Sequence, residues 1–92
     1  MIRKKNSEPF KYFRKRGLYL GENPDDYEYQ IGTMDFFNGD FYCGVLKNDS
    51  FEKQGLYLFQ NSEYYYGGFK YHKFSGYGEY YYKNGDVYKG FF

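Results

Sequence analysis

Few residues in this chain could do chemistry, and their spacing argues against catalysis. His72 is the single histidine and Cys43 the single cysteine. A nucleophilic thiol needs a base within hydrogen-bond reach, and no His/Asp partner spacing accompanies Cys43. One Cys and one His also fall short of the soft ligands a structural zinc site requires. Three acids recur at equal steps, Asp40, Glu63 and Asp86. That raises repeated calcium sites, but each acid directly follows an Asn-Gly or Asn-Ser pair, so the simpler reading is a turn cap. His72 falls in a connecting segment, where a lone histidine faces solvent. No phosphate-cradling loop, nucleophile elbow or paired-acid motif is present. The expectation is a chain that is not an enzyme, with no catalytic residue, cofactor or metal.

The acids belong to a longer pattern that explains their spacing. Tyr-x-Gly-x-(Leu/Phe) occurs as Tyr42-Gly44-Leu46, Tyr65-Gly67-Phe69 and Tyr88-Gly90-Phe92, a 23-residue step. Asn38-Gly39-Asp40, Asn61-Ser62-Glu63 and Asn84-Gly85-Asp86 keep that step, as do Gly32/Gly55/Gly78, Met34/Tyr57/Tyr80 and Phe36/Phe59/Tyr82. A fixed period of this length is the mark of a stacked repeat, in which each unit buries its apolar face against the next.

Composition says what kind of repeat. Among 92 residues there are 15 Tyr, 11 Phe and 12 Gly, with no Trp and no Ala. Aromatics fit a pleated surface better than a helix, and a 28% aromatic content is foreign to disordered chains. Within a unit, Glu79–Lys83 alternates around Tyr80 and Tyr82, Asn84-Gly85 turns, and a return strand carries Tyr88, Gly90 and Phe92 on one face. Asn-Gly between alternating segments predicts a hairpin with both central residues at positive φ. Lys47–Gln54 and Lys70–Tyr77 read as longer connections between hairpins. Glycines on the tyrosine face leave room for aromatic rings to lie over the backbone. The expected fold is all-β: an elongated single-layer antiparallel meander of stacked hairpins without substantial helix. Residues 1–9 read as a basic arm, 10–31 as a degenerate first repeat or cap, and 32–92 as about two and a half full copies.

From these residues the chain resembles the MORN (membrane occupation and recognition nexus) repeat family. The pattern G-x-G-x-Y, strand, (N/D)-G turn, Y-x-G-x-(F/W) is matched best by Gly76-Tyr77-Gly78-Glu79-Tyr80 and Asn84 through Phe92. The middle copy has Lys53 at the first glycine, and the earlier copy has Met34 for the tyrosine. The resemblance implies a curved sheet with an aromatic groove, and a scaffold or small subunit in a cytoskeletal, ciliary or membrane-associated assembly.

Two surfaces are candidates for that work. The first is the face carrying Tyr42, Tyr57, Tyr65, Phe69, Tyr80, Tyr88 and Phe92, read as taking a protein segment; Phe41, Tyr64, Val87 and Phe91 fall on the other side. The second is basic: residues 1–16 hold seven Lys or Arg against one Glu, a local +6, whereas residues 17–92 come to −5. Arg3, Lys4, Lys5, Arg14, Lys15 and Arg16 would meet an anionic surface, phospholipid being the alternative partner. The acidic body disfavours nucleic acid. The final strand is an open apolar edge, so either the natural chain continues or another subunit adds a strand there, and self-association is left open. No apolar run is long enough to cross a membrane as a helix, and the lone cysteine fits a reducing compartment. The setting read from this is cytoplasmic, associated with cytoskeleton or membrane, with organelle import left open.

Overall fold

A computed structural model describes residues 10–92, and in it each strand pairs with the next in sequence. The strands are β1 Phe10–Arg14, β2 Gly17–Gly21, β3 Gln30–Phe36, β4 Phe41–Lys47, β5 Ser50–Leu58, β6 Tyr64–Lys70, β7 Lys73–Tyr81 and β8 Val87–Phe91. All are antiparallel in one open sheet of order β1 to β8, and the described residues contain no helix. The sheet measures 41 × 28 × 21 Å along its principal axes. No helix of the described residues is long and apolar enough to cross a membrane.

Two kinds of turn alternate along the sheet, and both differ from the sequence expectation. At Asn38-Gly39 and Asn84-Gly85 only the glycine takes the left-handed conformation, at φ +97° in each. The Gly39 N–H donates to Phe36 O, and the Phe36 N–H to Asp40 O. The loop is therefore three residues with a single left-handed position, the form that matches a type I turn closed by a glycine bulge. The Asn side chain is what selects it. Asn38 Oδ1 accepts the Asp40 N–H at 2.9 Å, and Asn84 Oδ1 accepts the Asp86 N–H at 2.9 Å. Ser62 fills the glycine position of the middle copy at φ +80°.

The segments expected to be long connections are hairpins as well. Asn48-Asp49 (φ +48° and +67°) and Tyr71-His72 (φ +50° and +69°) are two-residue turns with both residues left-handed. Asn and Asp favour that region and His visits it too, but Tyr carries no such preference, so the second turn lacks the paired signal of the first.

Each of these hairpins bends back over the tyrosine face. From Gly44 to Leu46 on β4 the chain advances two residues, whereas β5 spends four from Gly55 back to Phe51, and the same slip separates Gly67/Phe69 from Gly78/Phe74. Lys53 (φ +61°) and Gly76 (φ +73°) are the left-handed residues inside the two bulges. An irregularity of this kind kinks a strand and increases its twist. The kink lays Phe51 on the Tyr42 ring (centroids 4.0 Å, 11° between planes) and Phe74 on Tyr65 (3.8 Å, 14°). A single sheet thereby makes its own second layer, and the core of Tyr19, Met34, Phe36, Tyr42, Leu46, Phe51, Tyr65 and Phe69 lies inside the fold of the hairpins.

Candidate binding surfaces

The structure places the predicted aromatic binding face mostly in the core. Tyr42 and Tyr65 are 0% exposed and Phe69 4%, so these three have no surface to offer a partner. Tyr57 and Tyr80 are half-buried against the same cluster, and only Tyr88 and Phe92 stand exposed. Expecting a single layer to leave this face open overlooked the hairpin kinks that cover it. Each buried ring lies over glycine. A Cβ on Gly55 would meet Tyr42 Cε1 at 2.6 Å, and one on Gly78 would meet Tyr65 Cζ at 2.6 Å. These glycines pair across strands, Gly44 with Gly55 and Gly67 with Gly78, and form a backbone floor for the ring.

The hydroxyls of these tyrosines are satisfied by the fold itself. At each copy the Tyr O–H donates to the carbonyl three residues on: Tyr19 to Glu22 (2.6 Å), Tyr42 to Val45 (2.6 Å), Tyr65 to Gly68 (2.8 Å) and Tyr88 to Phe91 (3.0 Å). Burial pushes Tyr19 up to about 12, with the nearby Glu22 adding to it, and raises Tyr42 and Tyr65 as well. The recurring acids reach further than turn caps. Asp40 accepts the Tyr57 hydroxyl at 2.7 Å and the Gln60 N–H at 2.8 Å. Glu63 accepts the Tyr80 hydroxyl at 2.8 Å and the Lys83 N–H at 3.2 Å. Each acid joins its turn to the next unit. Among the described residues no group of three or more His, Cys, Asp and Glu comes close enough to hold a metal ion.

The opposite face of the sheet carries a second apolar surface. Register places Phe41, Leu58, Tyr64, Tyr81 and Val87 side by side on β4 through β8. Leu58, Val87 and the neighbouring Tyr66 are exposed, and Tyr64 stacks on Tyr81 with centroids 4.5 Å apart and planes 12° off parallel. Reading single strands assigns Phe41, Tyr64 and Val87 to this side. Leu58 and Tyr81 join them only through pairing, which a single strand does not disclose. Cys43 is exposed on the same side.

The basic residues separate. Arg3, Lys4 and Lys5 lie outside the described residues. Arg14 Nε is bound to Asp49 Oδ1 at 2.9 Å, and its guanidinium lies 3.7 Å from the Tyr12 ring centre. Lys15 and Arg16 form the β1–β2 turn and are exposed. With Arg14 they line a cleft of about 320 Å³ whose deep side is Met34, Phe36 and Phe51, all buried. Asp49 and His72, from the two bent hairpins, complete it. His72 is exposed, as expected of a lone turn histidine, and is also tied to the fold: its backbone N–H donates to Phe51 O at 3.2 Å, and its Nδ1 accepts the Phe51 N–H at 3.4 Å.

The cleft exists because the first unit departs from the repeat. Subtracting 23 aligns Arg14-Lys15-Arg16 with Phe37-Asn38-Gly39, Gly17 with the acid Asp40, and Met34 with Tyr57. Acid and tyrosine are lost together. A Cβ at Gly17 would press on the Asp35 carbonyl oxygen and sit 2.9 Å from Phe36 Cα, so no acid fits there, and Met34 has no hydroxyl needing one. No protein-family model matches this chain, and no curated protein matches it significantly.

Proposed function

We propose that this chain is a non-catalytic interaction module of the MORN-repeat type, a scaffold or small subunit that takes a protein segment on the apolar ladder of its outer face. The single observation that carries this reading is the cross-strand row Phe41, Leu58, Tyr64, Tyr81 and Val87, contiguous over five strands on the outer face, with Leu58 and Val87 exposed and the three aromatics half-buried. Apolar surface of this extent on a small domain marks a contact site, and Tyr suits such surfaces because its body is apolar and its tip tolerates water. Strands lie about 4.8 Å apart, so the row spans roughly 19 Å, the length of about 13 residues of helix at 1.5 Å each. An amphipathic helix laid across the strands fits that dimension. The cytoskeletal or membrane-associated setting rests on the family resemblance and belongs to the same proposal.

Leu58→Glu with Tyr81→Glu tests it, because both side chains sit at the outer face and the core lies on the other. The tagged chain, purified from its own cells, is expected to carry a stoichiometric protein through a high-salt wash, and the double variant to lose it while keeping wild-type circular dichroism. Equal retention by the folded double variant would remove the ladder as the contact.

A further inference from the structure

We infer that the cleft between the β1–β2 turn and the two bent hairpins is a binding site for a phosphate monoester carried on a compact apolar body. Three independent features converge there. The first is charge. Asp49 offsets Arg14, and the adjacent Lys15 and Arg16 bring two further cations to the rim. A doubly negative phosphate monoester matches two cations, and a guanidinium matches its oxygens geometrically. Arg16 is already held close, its guanidinium carbon 5.5 Å from the Phe36 ring centre.

The second feature is a neutral donor. The Phe51 N–H occupies His72 Nδ1, so the proton of a neutral imidazole sits on Nε2, which can donate to a phosphate oxygen. The third is the deep side. Met34, Phe36 and Phe51 form an apolar end suited to a ring or a short acyl chain. At about 320 Å³ the cleft stands at the lower end of the roughly 300–1,000 Å³ typical of small-molecule sites. The sequence departures point the same way. Two of the places where unit one breaks the repeat, Arg14 to Gly17 and Met34, lie at this cleft or immediately beside it. A degenerate end cap has no need to place three successive cations over an apolar pocket.

The ligand chemistry has two sources, a soluble metabolite or a phospholipid headgroup, and the experiment separates them. Phenyl phosphate is titrated into the full chain while the His72 ring and Met34 methyl signals are followed by NMR. In parallel, vesicles of phosphatidylcholine with and without phosphatidic acid are sedimented with the chain. Lys15→Glu with Arg16→Glu is the control, both residues being exposed and outside the core. Saturable shifts of His72 and Met34 with phenyl phosphate, weakened at least about tenfold in the double variant, establish the site with a soluble source. Silence with phenyl phosphate, together with phosphatidic-acid binding that moves His72 and fails in the double variant, establishes it with a lipid source. If neither probe moves His72 or Met34 at millimolar concentration, or the double variant binds as well as wild type, the site is overturned. Leu58→Glu with Tyr81→Glu is expected to leave the titration unchanged, so loss of the ladder contact and loss of the cleft are read separately.

Discussion

The Tyr57 hydroxyl donates to Asp40 Oδ2 at 2.7 Å, tying a turn to the unit that follows it. The bond recurs 23 residues later as Tyr80 to Glu63 at 2.8 Å. In a repeat array, stability is the sum of unit and neighbour terms, and this contact is a neighbour term. A double-mutant cycle isolates it. Tyr57→Phe and Asp40→Asn are each expected to cost about 1 kcal/mol in denaturant unfolding, and the pair clearly less than the sum. Strict additivity would mean that the hydroxyl and carboxylate do not act on each other.

Glycine has two distinct duties in this sheet, and alanine substitution separates them. A methyl at Gly55 meets the Tyr42 ring at 2.6 Å, and that ring is held between Gly55 and Phe51. Gly55→Ala is therefore expected to destabilise by about 2–3 kcal/mol through overpacking. Gly76 has no atom within 4 Å of such a methyl but sits at φ +73°. Gly76→Ala should cost only about 1 kcal/mol, from backbone conformation alone. Comparable losses at the two sites would show that ring packing over the floor is not what Gly55 supplies.

The buried phenols should titrate late. Tyr19 is raised to about 12 by burial and then by Glu22, and Tyr80 to about 12 by burial and then by its bond to Glu63. A phenol whose folded pKa lies above its unfolded 10.0 stabilises the fold below pH 10, and that stability is lost as pH rises from 10 toward 12. Tyrosinate absorbance should thus include a late stage, carried by Tyr19 and Tyr80 and rising together with unfolding. Tyr19→Phe should shrink the late stage. A single stage near the ordinary phenol value in the folded protein would contradict this account.

How far the sequence foretold this molecule depends on whether a feature is local. The 23-residue step and the strand alternation carried the all-β meander, because each hairpin announces itself within a few residues. Asn38-Gly39 marked its turn but not its form, since the Asn side chain closes a three-residue loop with one left-handed residue. Tyr71-His72 did not mark its turn, because Tyr has no preference for positive φ and a single His is a weak signal. The kinks at Lys53 and Gly76 decide which face is core, and they appear only once β5 and β7 are paired with their neighbours. Tyr42 and Tyr65 were legible as one face, yet their burial under Phe51 and Phe74 was not. The cleft was half legible: Arg14, Lys15 and Arg16 stood out by charge, while Met34, Asp49 and His72 reach it from three other elements.

His72 makes the acid side of the stability profile testable. Its pKa is held below the ordinary 6.5, first by burial and then by the charge of Arg16, with Glu52 and Asp49 opposing more weakly. The folded chain therefore binds a proton at His72 less well than the unfolded chain. That contribution to stability is complete above pH 6.5, declines as pH falls through 6.5 toward the folded value, and is gone below it. Geometry agrees, since protonating Nδ1 would turn the acceptor of the Phe51 N–H into a donor. His72→Asn keeps a residue that tolerates φ +69° and removes the titration. The variant is expected to lose the slope just below pH 6.5 in denaturant midpoints while keeping the steeper loss at more acid pH. There Glu63, held below its ordinary 4.5 by the Lys83 N–H and then the Tyr80 hydroxyl, takes up its proton. An unchanged slope near pH 6 in the Asn variant would assign that sensitivity to groups other than His72.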